Sequence, residues 1–307
     1  MGQLIDGQWV TDEQVGSISK SGEWTRTPSV LRGGLEPENV TPGRYHLYAA
    51  WNCPWAHRVL LTRALLGLEK ALPVSFVAPK RTDDGWVFDP DNGYVDLLAG
   101  RNALYEVYAD GQSDYTGRVT VPLLVEVGTG ALISNESADL VRMLPKAFGH
   151  LAERPRDLYP DHLAKEIDGW NALIHSRLNN GVYQAGFAES QSAYDTAVKG
   201  VFETLDAIET ALADKSYLTG DALTEADIRL FPTLARFDVA YFSAFKCMRR
   251  RIQDYPSLWR YARRFYALPG IAETVKFDIY RKGYFSQSPK RNPLGIIPIA
   301  PVIDWTI

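Results

Sequence analysis

One stretch of this 307-residue chain carries residues whose types and spacing could do chemistry: Tyr48-Ala49-Ala50-Trp51-Asn52-Cys53-Pro54-Trp55-Ala56-His57-Arg58-Val59-Leu60-Leu61. Cys53 ends an apolar run and precedes a proline suited to the first position of a helix, where its missing N–H costs nothing. A thiol there would sit among unpaired N–H groups at the positive end of the helix dipole, a setting that favours thiolate. The opposing reading is that a free cysteine is a small, inert core residue; the strand–Cys–Pro–helix context favours the nucleophile. Ala56 occupies the place where disulfide oxidoreductases carry a second cysteine, so no intramolecular disulfide can form. An oxidised intermediate at Cys53 must then be resolved by an outside thiol, which points to a small thiol as cosubstrate. His57, one helical turn on, could help hold the thiolate or serve structure alone. Cys247, the other cysteine, falls in a predicted helix and is expected in a core or interface.

The elements that must position Cys53 follow from periodicity. A β-prone run at 44–50 leads into a helix over 54–68, with Val59, Leu60, Ala64, Leu65 and Leu68 at helical spacing. A second strand is expected at 73–78, and strand–helix–strand favours a parallel pair. Residues 79–118 are polar and read as a long functional or disordered loop. Strands at 121–127 and 131–134 flank Gly128-Thr129-Gly130, a hairpin signal, and a helix follows at 136–146, ending near Pro145. This β-α-β, insertion, β-β-α order has the thioredoxin-like pattern, a mixed four-stranded sheet with helices over 45–147. Residues 1–44 read as an irregular arm and 148–160, with two prolines, as a linker. The segment 161–285 reads as all-helical, with helices near 161–178, 191–213, 225–245, 256–267 and 270–277. Thr224-Glu225-Ala226-Asp227 has the form of a capping box with Asp in place of Glu. The tail 286–307 reads as an extended arm. The fold class expected is α+β: a thioredoxin-like domain followed by an all-α bundle.

Composition bounds the function classes. Net charge is −4 and the sequence contains 16 Tyr and 8 Trp. Nothing in that balance points to nucleic acid or an anionic membrane, and Arg249-Arg250-Arg251 reads as a solvated helix face. No apolar run is long enough to span a bilayer, and the first residues lack a signal-peptide pattern. Two cysteines 194 positions apart make neither a metal site nor a disulfide framework. The expectation is a cytoplasmic enzyme without a metal.

Cys53-Pro54-Trp55-Ala56-His57-Arg58, in a thioredoxin-like half followed by a helical half, resembles the glutathione transferase superfamily, and specifically its Xi class, the glutathionyl-hydroquinone reductases. Further matching runs are Gly117-Arg118-Val119-Thr120-Val121-Pro122, Ser134-Asn135-Glu136-Ser137, Asn179-Asn180-Gly181-Val182-Tyr183, Arg236-Phe237-Asp238-Val239-Ala240-Tyr241 and Asn292-Pro293-Leu294-Gly295-Ile296-Ile297-Pro298. They keep the family's order from about residue 45 to 298. The resemblance implies a glutathione-dependent fold and a Cys53 that attacks sulfur. Cys53 takes the glutathionyl group from a glutathionyl-hydroquinone as a mixed disulfide; a second glutathione regenerates it and leaves as glutathione disulfide. It implies glutathione contacts at Trp86, Arg118, Val121, Glu136 and Ser137. Val121 precedes a proline that resembles the cis-proline of this fold, which turns its backbone toward the cysteinyl part. Ser137 and the N–H groups of its helix suit the γ-glutamyl carboxylate, and Glu136 its ammonium. Tyr183, Tyr241 and Tyr284 match hydroquinone-pocket tyrosines. Without the resemblance, Glu136 and Ser137 read as an ordinary helix cap and Trp86 as packing. The family's His-Tyr-Tyr and Ser-His elements are replaced here by Gly283-Tyr284-Phe285-Ser286-Gln287-Ser288. A homodimer is also implied. The competing functions are an Omega-like thioltransferase or dehydroascorbate reductase using the same cysteine, and a noncatalytic module of transferase-like fold.

Overall fold

The computed structural model describes residues 2–11, 18–286, 288 and 290–307. Residues 1, 12–17, 287 and 289 lie outside that description, and with them parts of the expected N-terminal arm and of the run 283–288. The chain divides into two compact units. The first holds the described residues of Met1–Gly16 with Pro28–Arg156; the second holds those of Ser17–Thr27 with Asp157–Ile307.

The first unit is built on strands β3 (Tyr45–Ala49), β4 (Val74–Phe76), β6 (Leu123–Glu126) and β7 (Leu132–Ser134), in the order β4-β3-β6-β7. β3 runs parallel to β4 and antiparallel to β6, which pairs antiparallel with β7. All five residues of β3 are buried, as its apolar run requires of a central strand. Helix α1 (Pro54–Leu66) starts at Pro54 and stops at Gly67; α3 (Ser137–Ala147) contains Pro145 in its last turn. Leu47, Val59, Leu61, Leu124, Leu140 and Leu144 are fully or almost fully buried, and each contributes roughly 1.5–3 kcal/mol by leaving water.

Two expectations for this unit are corrected. The segment before residue 44 is not irregular throughout, because β1 (Gln3–Ile5) and β2 (Gln8–Val10) form a hairpin. Asp6 and Gly7, with φ of +47° and +75°, supply the two left-handed positions of its turn. Nor is 79–118 a loop: it contains helix α2 (Leu104–Gly111) and strand β5 (Gly117–Arg118), which pairs with β1 in a second, three-stranded sheet. Leu104, Val107 and Tyr108 form the buried stripe of α2.

The second unit is helical: α4 (Ala164–Leu173), α5 (Gly181–Phe187), α6 (Gln191–Ala211), α7 (Glu225–Arg236), the short α8 (Phe242–Ala244), α9 (Pro256–Tyr266) and α10 (Phe277–Tyr284). π-Helical turns at Ile174–Asn179 and Phe237–Tyr241 interrupt the expected long helices. The last helix lies seven residues later than expected. Cys247 is not helical either; it is fully buried in the connection after α8. Carboxylates fasten the helix ends. Asp227 completes the capping box of α7, its Oδ2 accepting from Thr224 N at 2.8 Å. Glu209 accepts from Ser257 N and Leu258 N at the start of α9. Asp238 accepts from Ile252 N and Gln253 N. The described residues of 286–307 run without a helix or named strand, anchored by buried Trp305 against Trp259, Phe231, Tyr266 and Phe277.

Candidate active site

Cys53 is the N-cap of α1, with extended backbone (φ −80°, ψ 118°), and its Sγ accepts from Ala56 N at 3.5 Å. Sγ also lies 3.4 Å from Val121 O, to which its thiol donates. The residue is 9% exposed. A negative charge on this sulfur faces the N–H groups and dipole of α1, both of which favour it. The Val121–Pro122 bond is cis. His57 is buried and gives its backbone N–H to Cys53 O at 3.0 Å.

β3 and β7 both run antiparallel to β6, so the C-terminal end of β7 delivers Glu136 and Ser137 at the same end of the sheet as Cys53. Glu136 is the N-cap of α3, its Oε1 accepting from Ala138 N at 2.9 Å. Ser137 is buried, and its Oγ accepts from the Arg58 guanidinium at 3.5 Å. Arg58 itself lies buried in α1 with its guanidinium 4.5 Å from the Trp55 ring centre. Tyr108 of α2 ties the two loops together. Its hydroxyl donates to Thr120 O at 2.7 Å and accepts from Asn135 Nδ2 at 3.1 Å, so one buried phenol fixes the residues before Val121 and before Glu136.

Trp86 is 6% exposed, and among the described residues its Nε1 finds no acceptor. A buried N–H of that kind is costly and marks a place where an acceptor belongs. Arg81 stands over the Trp86 ring, 5.4 Å from its centre. Arg118, on β5, is held below the ordinary guanidinium value, first by burial and then by the charge of Arg81. Two guanidiniums that repel each other beside a buried N–H make an environment suited to an anionic acceptor.

In the second unit the three singled-out tyrosines come together. Tyr183 of α5 and Tyr284 of α10 share a hydrogen bond of 2.6 Å between their hydroxyls, and Tyr241, at the end of the second π turn, bonds to Tyr284 at 3.0 Å. The rings of Tyr183 and Tyr241 also meet edge to face, and Phe245 packs against all three. Tyr241 is fully buried and Tyr183 half-buried, so the hydroxyl chain runs from the core outward. Burial pushes Tyr241 and Tyr284 well above the ordinary phenol value, so both stand as neutral donors. Arg236 is buried behind the cluster, 3.8 Å from the Tyr280 ring centre, one turn before Tyr284.

Residues 52–147 match the family model of the glutathione S-transferase N-terminal domain, and residues 191–264 that of its C-terminal domain. The glutathionyl-hydroquinone reductase PcpF of Sphingobium chlorophenolicum is 45% identical over 303 residues, covering 98% of this chain and 96% of that protein. The chain belongs to the Xi class of the glutathione S-transferase family. A solved Xi-class transferase from Natrialba magadii superposes with a TM-score of 0.93 at 40% identity, covering 99% of this chain and 95% of that one. The glutathione-bound structure of YqjG from Escherichia coli K-12 gives 0.87 at 44% identity, covering 99% and 97%.

For a Xi-class transferase, the sequence reading left out Arg58, Arg81, Tyr108 and Arg236. Arg58 stood in the quoted cysteine motif but was given no role. Tyr108 belonged to an apolar stripe in a segment read as loop. Arg81 carried no signal, since a lone arginine among Lys80, Thr82 and Asp83 looks like any polar turn. Arg236 stood in a matching run, but sequence alone does not show that it is buried.

Proposed function

We propose that this chain reduces glutathionyl-hydroquinones to hydroquinones with glutathione as cosubstrate, and that Cys53 is the nucleophile. The observation that carries the reading is the placement of Cys53 Sγ at the N-terminus of α1, accepting the Ala56 N–H, with Ala56 in place of a second cysteine. The Cys53 thiolate attacks the sulfur of the glutathionyl group. A sulfur–sulfur bond forms and the carbon–sulfur bond to the hydroquinone breaks. Expelling an aryl carbanion is unfavourable, so the substrate reacts as its keto tautomer, and the bonding pair flows into the ring as a phenolate-like anion that takes a proton. A second glutathione thiolate then attacks the mixed disulfide, restoring Cys53 and leaving as glutathione disulfide.

The roles of the remaining residues follow from their chemistry. The Val121 backbone pairs with the cysteinyl part of glutathione. Ser137 and the first N–H groups of α3 take the γ-glutamyl carboxylate, with the Arg58 charge beside them, and Glu136 takes the ammonium. Trp86 and Arg118 complete the grip. The hydroxyls of Tyr183, Tyr241 and Tyr284 stabilise the developing ring anion as oxyanion donors do. We further propose a homodimer acting in the cytoplasm; among the described residues no helix is long and apolar enough to cross a membrane.

The test compares turnover of a glutathionyl-hydroquinone with that of a simple glutathione mixed disulfide. The wild type is expected to prefer the hydroquinone conjugate, and Cys53→Ser to lose both activities by at least about 10³-fold. Preference for the simple disulfide would favour the Omega-like alternative, and retained turnover in Cys53→Ser would remove the thiol mechanism.

A further inference from the structure

The hairpin of β1 and β2 packs on the turn that leads into Trp86 and pairs with β5 at Arg118, two of the residues assigned to glutathione. Trp9 of β2 stacks on Tyr105 of α2, with ring centres 4.9 Å apart and planes 21° from parallel. Its Nε1 donates to Asp83 O at 3.0 Å. Asp83 belongs to the tight turn 82–85, closed by paired bonds between Thr82 and Gly85 of 3.0 and 2.9 Å. Gly85 has φ +72°, and a Cβ there would lie 2.7 Å from Trp9 Cη2. The turn therefore needs glycine for its backbone and for the indole packed on it. Trp86 is the next residue, and its own O accepts from Leu104 N at 2.8 Å. On the other side, β1 pairs with β5 so that Gln3 faces Arg118 and Leu4 faces Gly117. Val119 N donates to Gly2 O at 3.3 Å, and the hairpin turn is fixed by Gly7 N to Tyr115 O at 3.0 Å and Asp6 N to Thr116 Oγ1 at 2.8 Å.

We propose that the N-terminal hairpin is a working part of the glutathione site, with Trp9 as the positioning residue that fixes Trp86 through the 82–85 turn while β1 fixes Arg118. This rests on the assignment of Trp86 and Arg118 to glutathione. The physical logic is preorganisation: a ring wedged between Tyr105 and Gly85 leaves the turn one arrangement, so glutathione does not have to order it on binding. The hairpin cannot supply this alone, since an isolated two-stranded ribbon is marginal in water; β5 completes its sheet and α2 receives its indole.

The test is isothermal titration of the full chain with reduced glutathione, together with steady-state kinetics. Trp9→Ala is expected to raise the glutathione dissociation constant and KM about tenfold, with kcat at saturation changing less than about twofold. Trp9→Phe, which keeps the stack and loses the N–H, should recover most of that loss. In a Trp86→Ala background, Trp9→Ala should add less than about twofold, because it acts through Trp86. An unchanged dissociation constant in folded Trp9→Ala, or a full tenfold effect added on top of Trp86→Ala, overturns the proposal. Should Trp9→Ala not fold, Trp9→Leu fills the space without the stack and carries the same comparison. If Trp86→Ala and Arg118→Ala both leave glutathione affinity intact, it is the assignment beneath the proposal that falls.

Discussion

In the proposed mechanism the hydroquinone side turns on Tyr284, because it is the middle of the hydroxyl chain. It bonds to Tyr183 at 2.6 Å and to Tyr241 at 3.0 Å, so its removal severs both links. Tyr284→Phe is expected to lower kcat for a glutathionyl-hydroquinone about 10²-fold, the size of losing one preorganised oxyanion donor. Turnover of a simple mixed disulfide, which releases no ring anion, should hold. Equal loss on both substrates would assign Tyr284 to packing. The two cysteines illustrate how far residue-level reading reaches. The placement of Cys53 at a helix N-terminus was legible because proline and strand are local features of its neighbourhood. Cys247 was legible as a core residue, and burial pushes its thiol up to about 12. Its connection, however, could not be told from helix, since the apolar run Val239–Phe245 continues a helical pattern past the π turn. The tyrosine cluster has no local signal: residues 183, 241 and 284 meet only through tertiary packing, and without the family resemblance each was one among sixteen.

At the scale of elements, the core strands and α1 were readable from apolar runs bounded by Gly and Pro, whereas the hairpin and α2 were not. The hairpin carried its own signal in Ile5-Asp6-Gly7-Gln8, an Asp-Gly pair between short alternating runs. It was outweighed by the polar composition of the surrounding segment. Helix α2 is eight residues long and its cap residue, Ala103, makes no side-chain cap bond, so only the spacing of Leu104, Val107 and Tyr108 announced it. The capping box of α7 was fully legible, because its chemistry lies within four residues. Its carboxylate does more than cap. Asp227 also accepts from Leu218 N at 3.0 Å and from the Tyr261 hydroxyl at 3.1 Å, tying α7 to the preceding loop and to α9. Burial pushes Asp227 up to about 6, against the backbone donors that stabilise its charge. Asp227→Ala leaves these buried donors without their acceptor. Destabilisation of roughly 3 kcal/mol, or a Tm lower by roughly 5–10 °C, is expected in thermal denaturation. A shift under about 2 °C would show that water or neighbouring groups replace the carboxylate.

For the molecule as a whole, acid stability should be set in part by His46. The ring lies buried in the central strand of the first unit, with Nε2 2.8 Å from Ser75 Oγ. Burial holds it down at about 4, with the Arg63 charge acting the same way and Asp96 opposing. The unfolded chain takes up this proton near its ordinary value of about 6.5, the folded chain only near 4. Its contribution is therefore present above pH 6.5 and lost as pH falls toward 4. Denaturant midpoints should decline across that window, and His46→Gln should flatten the decline; an unaltered slope in the variant would assign it to other groups. The sulfur chemistry proposed for Cys53 is read out by intact-protein mass spectrometry after a single turnover with a glutathionyl-hydroquinone and no free glutathione. Expected are one glutathione added by disulfide at Cys53, an equal amount of hydroquinone released, and loss of the adduct when glutathione is supplied. Hydroquinone release without any adduct on Cys53, or an adduct carrying the ring, would contradict that chemistry.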